Sequence, residues 1–183
     1  LRDTGEFRSE ELESNYQKYL KRKKRENKTP RDRLDWKQAR EYYMEKSRIA
    51  RGNKYNKTVE SRELYDYYEV HLKNGYRLDS YNKVTLSDGT EKWEIISRKA
   101  TDLDKIKMET FEGYLKEFEV TKGGKYKVGT EIRSNKYKDK LDGKKLEGEY
   151  ILEIPKTNEN LPNIKDFEDI AKKYNVTLRF TEE

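Results

Sequence analysis

The chain has 183 residues, of which 43% are charged and only 32% hydrophobic; it suits one globular domain with an appendage, and its core is thin unless the 15 tyrosines lend their rings to it. A formal net charge of +6 favours a polyanionic partner. The absence of cysteine excludes a disulfide framework, a thiol nucleophile and a Cys-ligated zinc, and no run of about 18 apolar residues offers a membrane span. The first residues carry no signal-peptide pattern, and opening on Leu1 points to a piece of a longer protein.

Residues 9–26 read as a helix with Leu12, Tyr16, Tyr19 and Leu20 on its apolar face. It ends in the run Lys21 to Arg25, which is either a solvated face or a nucleic-acid contact. Thr29-Pro30 restarts the pattern as cap and first helical position, with Asp32 completing a capping-box-like spacing. The second helix then carries Leu34, Trp36, Ala39, Tyr42, Tyr43 and Ile49 as far as Gly52-Asn53. A short third helix is expected over Val59 to Tyr67.

From Tyr68 the hydrophobic period becomes two. Tyr68–Leu72 and Tyr76–Tyr81 form a hairpin about Asn74-Gly75, and Ser87-Asp88-Gly89 turns the chain into a third strand over Glu91–Thr101. Helical spacing returns over Asp102–Val120, followed by a loop at Gly123-Gly124. A strand over Glu149–Ile154, a helix over Asn163–Tyr174 and a strand over Val176–Phe180 complete an α/β (α+β mixed) chain without internal repeats.

Two charges stand in the meander where apolar residues are expected. Arg77, Asp79 and Tyr81 share one face of the second strand, and Trp93, Ile95, Ser97 and Lys99 share one face of the third. Glu94, Ile96 and Arg98 take the other face. The Asn-Gly turn brings Glu69 and His71 onto the face of Asp79. Paired carboxylates with a lysine on adjoining strands are what metal-assisted phosphodiester cleavage requires: carboxylate oxygens hold Mg²⁺, and an ammonium orients the phosphate or the attacking water. The same residues also read as a cross-strand Asp79–Lys99 ion pair on a solvated face. With His71 as the only histidine, two-histidine ribonuclease chemistry is excluded within the chain, and Trp36 and Trp93 read as core.

The blocks "YYEVHLKNGYRLDSY", "IISRKATDLDKI", "TFEGYLKEFE" and "LEGEYILEIP", in that order, resemble the C-terminal toxin domains of bacterial secreted polymorphic toxins with a restriction-endonuclease-like fold. The likeness covers residues 51–183, and "WKQAREYY" is similar to the helical pre-toxin segment upstream, so residues 1–50 are expected to be a basic helical extension. The resemblance implies a restriction-endonuclease-like core, a central mixed sheet flanked by helices. The PD-(D/E)xK pattern carries over to Asp79 as metal-binding acid, Lys99 as catalytic lysine and Glu69 as upstream acid.

Ser97 stands where that pattern has a carboxylate, leaving Glu69 to supply the missing charge or a single ion with extra waters. Glu94 enters only through a bulge, while Lys116 and Glu117 approach from the following helix. Arg77, Arg98, Lys116 and the basic amino-terminal arm would hold phosphates.

The implied function is a Mg²⁺- or Mn²⁺-dependent nuclease toxin of interbacterial competition, cutting DNA, with RNA as the alternative substrate. It would be secreted by the producing bacterium and act in the target-cell cytoplasm. A cognate immunity protein of acidic character would restrain it in the producer. A non-catalytic nucleic-acid-binding module, and an interaction domain of a large secreted protein, are the competing readings.

Overall fold

The computed structural model describes residues 1–119 and 124–183, which divide into two compact units, Leu1–Arg51 and Gly52–Glu183. In the first unit, α1 (Glu10–Arg25) opens at Ser9, whose side chain accepts from Leu12 N–H. Acidic residues fill its first turn and Arg22 to Arg25 its last, complementing the helix dipole at both ends. The basic run thus has a local stabilising role whatever else it binds.

The second helix, α2 (Arg33–Lys46), starts three residues later than the Thr29-Pro30 pattern suggests. Asp32 is its cap, accepting from Asp35 N–H at 2.9 Å. Phe7, Tyr16, Tyr19 and Trp36 form a small aromatic core between the two helices. Arg33 clasps Glu13 through two hydrogen bonds of 2.7 and 3.0 Å, which hold the Glu13 carboxyl down to about 2.

Gly52-Asn53 does not end α2. Ser47 is extended and breaks the helix, and its hydroxyl accepts from Ala50 N–H to start α3 (Arg48–Ser61), which runs through Gly52. A serine cap outweighs an interior glycine, whose cost in a helix is only about 1 kcal/mol. The short helix expected over Val59–Tyr67 is therefore the end of α3 followed by a turn.

In the second unit a five-stranded mixed sheet is flanked by helices. The strands are β1 (Tyr67–His71), β2 (Arg77–Thr85), β3 (Glu91–Arg98), β4 (Glu149–Pro155) and β5 (Val176–Thr181), adjacent in chain order. β1, β2 and β3 are an antiparallel meander; β3, β4 and β5 run parallel. The parallel connections carry α4 (Met108–Glu119) and α5 (Ile164–Lys173). The expected Val120 helix end and Gly123 of the loop lie outside the described residues.

Both connecting helices cover one face of the sheet, where Phe111, Leu115 and Phe118 of α4 and Phe167 and Ala171 of α5 meet Tyr81, Ile95, Tyr150, Leu152 and Ile154. On the opposite face Tyr55 and Val59 of α3 pack with Tyr68. β4, covered on both sides, is buried from Tyr150 to Pro155, which explains an apolar run interrupted only by Glu153. Tyrosines do supply much of the core: Tyr81 stacks on Trp93 with centroids 4.4 Å apart.

Gly148, at φ +109°, leads into β4 against β3, and a Cβ there would lie 2.0 Å from the Trp93 carbonyl oxygen. Gly148→Ala is therefore expected to cost about 3 kcal/mol or more, read as a lowered urea midpoint.

Candidate active site

β2 and β3 stay paired from Thr85↔Glu91 to Ser80↔Ile96 and then part. Beyond that point a side chain takes the place of the ladder: Arg98 N–H donates to Asp79 Oδ2 at 2.7 Å. Asp79 is thereby fixed at the mouth of the divergence, half-buried, on the face covered by α4. Burial pushes its carboxyl above the ordinary value of 3.8; the Arg98 N–H and the cations of Arg98, Lys99 and Arg77 oppose that shift without cancelling it.

Lys99, the next residue but one after Ser97, shares this face. Its backbone N–H continues the pairing with β4 by donating to the Glu153 carbonyl at 2.9 Å. Its ammonium lies 3.2 and 3.0 Å from Oε1 and Oε2 of Glu117 on α4 and over the Tyr114 ring at 5.2 Å. The expected Asp79–Lys99 ion pair gives way to Lys99–Glu117. Lys125 approaches Glu117 Oε1 from the other side at 3.5 Å. Tyr126, buried beside these groups, has its phenol pushed up by burial and then by the charges of Asp79 and Glu117, so it stays protonated.

Two buried polar atoms on this face lack a hydrogen-bond partner among the described residues: Ser97 Oγ and Glu117 Oε2, the latter in charge contact with Lys99 but out of line for a hydrogen bond. Asp79, Glu117 and Ser97 bring hard oxygen atoms, the donor type that Mg²⁺ or Mn²⁺ takes, to this face. Among the described residues no group of three or more His, Cys, Asp or Glu is arranged to hold a metal, so any ion here would rest on two carboxylates and water.

Several sequence expectations are corrected. Glu69 has φ +51°, interrupts the pairing between Tyr68↔Ser80 and Val70↔Leu78, and turns its exposed carboxylate to Arg77 at 3.7 Å. Its carboxylate is thus engaged with Arg77, and the acid that meets Lys99 is Glu117. Arg98 is not available to a phosphate, because its side chain is 2% exposed on the α3 face. There it donates to Glu153 through Nε, to Asn56 at 2.9 Å and to Ser80 at 2.7 Å. Glu94 stays on that face as well, held by Arg179 at 3.1 and 2.5 Å and by Asn82 at 3.1 Å. Arg77, Lys116 and His71 are exposed, and the cations that meet Glu117 are Lys99 and Lys125 rather than Lys116.

Glu153, unflagged by its sequence position, is fully buried and also accepts from the Tyr65 hydroxyl. A carboxylate inside the otherwise apolar "EYILEIP" is the signal that a buried partner exists. Tyr126 and Lys125 carry no such signal, since lysine and tyrosine are abundant throughout.

No family model matches the chain, and neither a curated protein nor a solved structure matches it.

Removing one partner of Arg98–Glu153 leaves a buried charge alone, so Glu153→Ala is expected to cost about 3 to 5 kcal/mol in urea denaturation; the double change Arg98→Met with Glu153→Leu recovers most of it. A carboxyl whose folded value lies above 3.8 binds its proton more tightly folded than unfolded. Its contribution is complete below 3.8 and is lost as pH rises through the folded value. Asp79→Asn keeps an acceptor for Arg98 N–H without the buried charge. Its Tm is expected to exceed the wild-type Tm at pH 7, the gain shrinking as pH falls towards 3.8.

Proposed function

We propose that the second unit is a metal-dependent phosphodiesterase, a nuclease toxin domain cutting DNA in a target bacterial cell, with Asp79, Lys99 and Glu117 as its working residues. The observation that carries this reading is the convergence of these three charged groups where β2 and β3 part, with Ser97 Oγ buried beside them without a hydrogen-bond partner among the described residues. A structural ion pair needs neither the buried carboxyl of Asp79 nor the partnerless hydroxyl of Ser97.

Asp79 and Glu117 would hold one Mg²⁺ or Mn²⁺. That ion supplies Lewis acidity, offsetting charge on a phosphate oxygen and lowering the pKa of a bound water. Lys99, positioned by Glu117 and the Tyr114 ring, orients a non-bridging phosphate oxygen or the attacking water. Hydrolysis forms a bond from water oxygen to phosphorus, breaks the bond to the leaving oxygen and returns a proton to it. Ser97 Oγ is placed to hold a water on the Asp79 side of the strand. An immunity protein in the producing cell, as the sequence resemblance implies, would have this site as its target.

The pairing of Glu117 with two lysines favours a second reading, a nucleic-acid-binding module in which these charges only dock phosphates. Plasmid DNA and total RNA incubated with the protein and Mg²⁺ or Mn²⁺ separate the two. Cleavage in wild type is expected to fall about 100-fold or more in Asp79→Ala, Lys99→Ala and Glu117→Gln. Intact substrate with every metal, alongside salt-sensitive binding, would leave only the docking module.

A further inference from the structure

The net charge is not where a phosphate-binding catalytic unit would need it. Residues 1–51 hold sixteen Lys and Arg against ten Asp and Glu, whereas residues 52–183 are balanced at 26 against 26. Within that balanced unit the positive charge is concentrated in the connection from α4 to β4. Residues 124–148 carry eight basic residues against four acidic, leaving the rest of the unit with an acidic excess of eighteen against twenty-two.

This connection is an ordered ribbon. Gly129 N–H reaches the Leu146 carbonyl at 2.7 Å, Leu146 N–H the Thr130 carbonyl at 2.8 Å and Ile132 N–H the Lys144 carbonyl at 2.7 Å. Ile132, Leu141 and Leu146 anchor it in the core. Its outer edge extends β1, with Lys73 N–H on the Glu131 carbonyl and Arg133 N–H on the His71 carbonyl, both at 2.9 Å.

One end of the ribbon is the site itself, since Lys125 contacts Glu117 and Tyr126 lies in the field of Asp79. Along it Lys127, Arg133, Lys138, Lys140, Lys144 and Lys145 are exposed, and none is ion-paired to another described residue. Six cations without an ion-pair partner among the described residues, carried on a hydrogen-bonded strip, repel one another, and a polyanion relieves that repulsion with release of its counterions.

We infer that this ribbon is the track on which the phosphate backbone of a nucleic acid lies as it leaves the Asp79–Lys99–Glu117 site. The inference rests on the nuclease reading for its choice of partner, and it takes over the phosphate-holding role that buried Arg98 cannot fill. Phosphate contacts of this kind position the strand without reading bases.

The test is binding of the full chain to a fluorescent 30-bp DNA duplex in EDTA across a KCl series. The ribbon variant is Arg133→Gln, Lys138→Gln, Lys144→Gln and Lys145→Gln; the contrast variant is Lys21→Gln, Arg22→Gln, Lys24→Gln and Arg25→Gln. Because the ribbon side chains are exposed and unpaired, the thermal melt should match wild type. The ribbon variant is expected to bind at least tenfold more weakly at 150 mM salt, its log–log salt slope shallower by about 0.9 for each phosphate no longer neutralised.

Unchanged affinity and slope in the ribbon variant would overturn the track while leaving metal-dependent cleavage by wild type intact. A flattened slope with no cleavage by wild type under any metal would keep the track and remove the hydrolytic reading. Equal displacement of DNA by poly-glutamate at matched charge would assign the ribbon to an acidic protein and overturn it.

Discussion

The buried Arg98–Glu153 pair is the constraint on which the site depends. Its side chains lie on the α3 face of the sheet, yet its backbone atoms serve the opposite face: Arg98 N–H fixes Asp79, and the Glu153 carbonyl fixes the backbone of Lys99. One desolvated charge pair that joins β3 to β4 on one face thus helps to fix, on the other, the carboxylate of Asp79 on β2 and the ammonium of Lys99 just past the end of β3. Desolvation makes such a pair a poor source of net stability but a strong selector of one register, since any slip strands both charges without partners. Ser80, Asn56 and Tyr65 complete the hydrogen bonding of that pair, so the network has little freedom to relax.

Stability in so polar a chain rests on aromatic rings. Tyr55, Tyr81, Phe111 and Phe118 are among its largest fully buried side chains, and each tyrosine brings a hydroxyl that must be satisfied. Tyr55 bonds to Thr181 at 2.6 Å and Tyr150 to Val128 N–H at 2.9 Å, which ties core packing to the last strand and to the basic ribbon. The ribbon's charges are thus carried on a backbone tied into the core through Val128, Ile132, Leu141 and Leu146. At the divergence of β2 and β3 the balance runs the other way: burial disfavours the charged form of Asp79, and its neighbouring cations do not cancel that shift.

Charge is also divided by location. The helical unit holds the whole net positive charge of the chain, but part of it stabilises the end of α1 and part is paired with Glu13 and Glu26. In the sheet unit a balanced total hides a local basic strip beside two carboxylates. Net charge and the local concentration of unpaired cations are therefore properties of different segments.

Much of this was legible in the residues themselves. Period-two alternation, the Asn74-Gly75 and Ser87-Asp88-Gly89 turns and the apolar faces of α1, α4 and α5 identify elements by interactions a few residues apart, so the meander and the order of helices and strands follow locally. The shared face of Ser97 and Lys99 follows from the same period, and so does the placement of Glu94 and Arg98 opposite them. The partners did not follow. Glu69 looked suited to Asp79 until a left-handed backbone turned it to Arg77; Lys99 took Glu117 from a helix eighteen residues on; Arg98, an ordinary surface cation by composition, found Glu153 across the sheet. Local pattern determines which face a charge occupies, but which opposite charge it meets depends on how separate elements pack, and desolvation there makes the difference between a solvated ion and a fixed one.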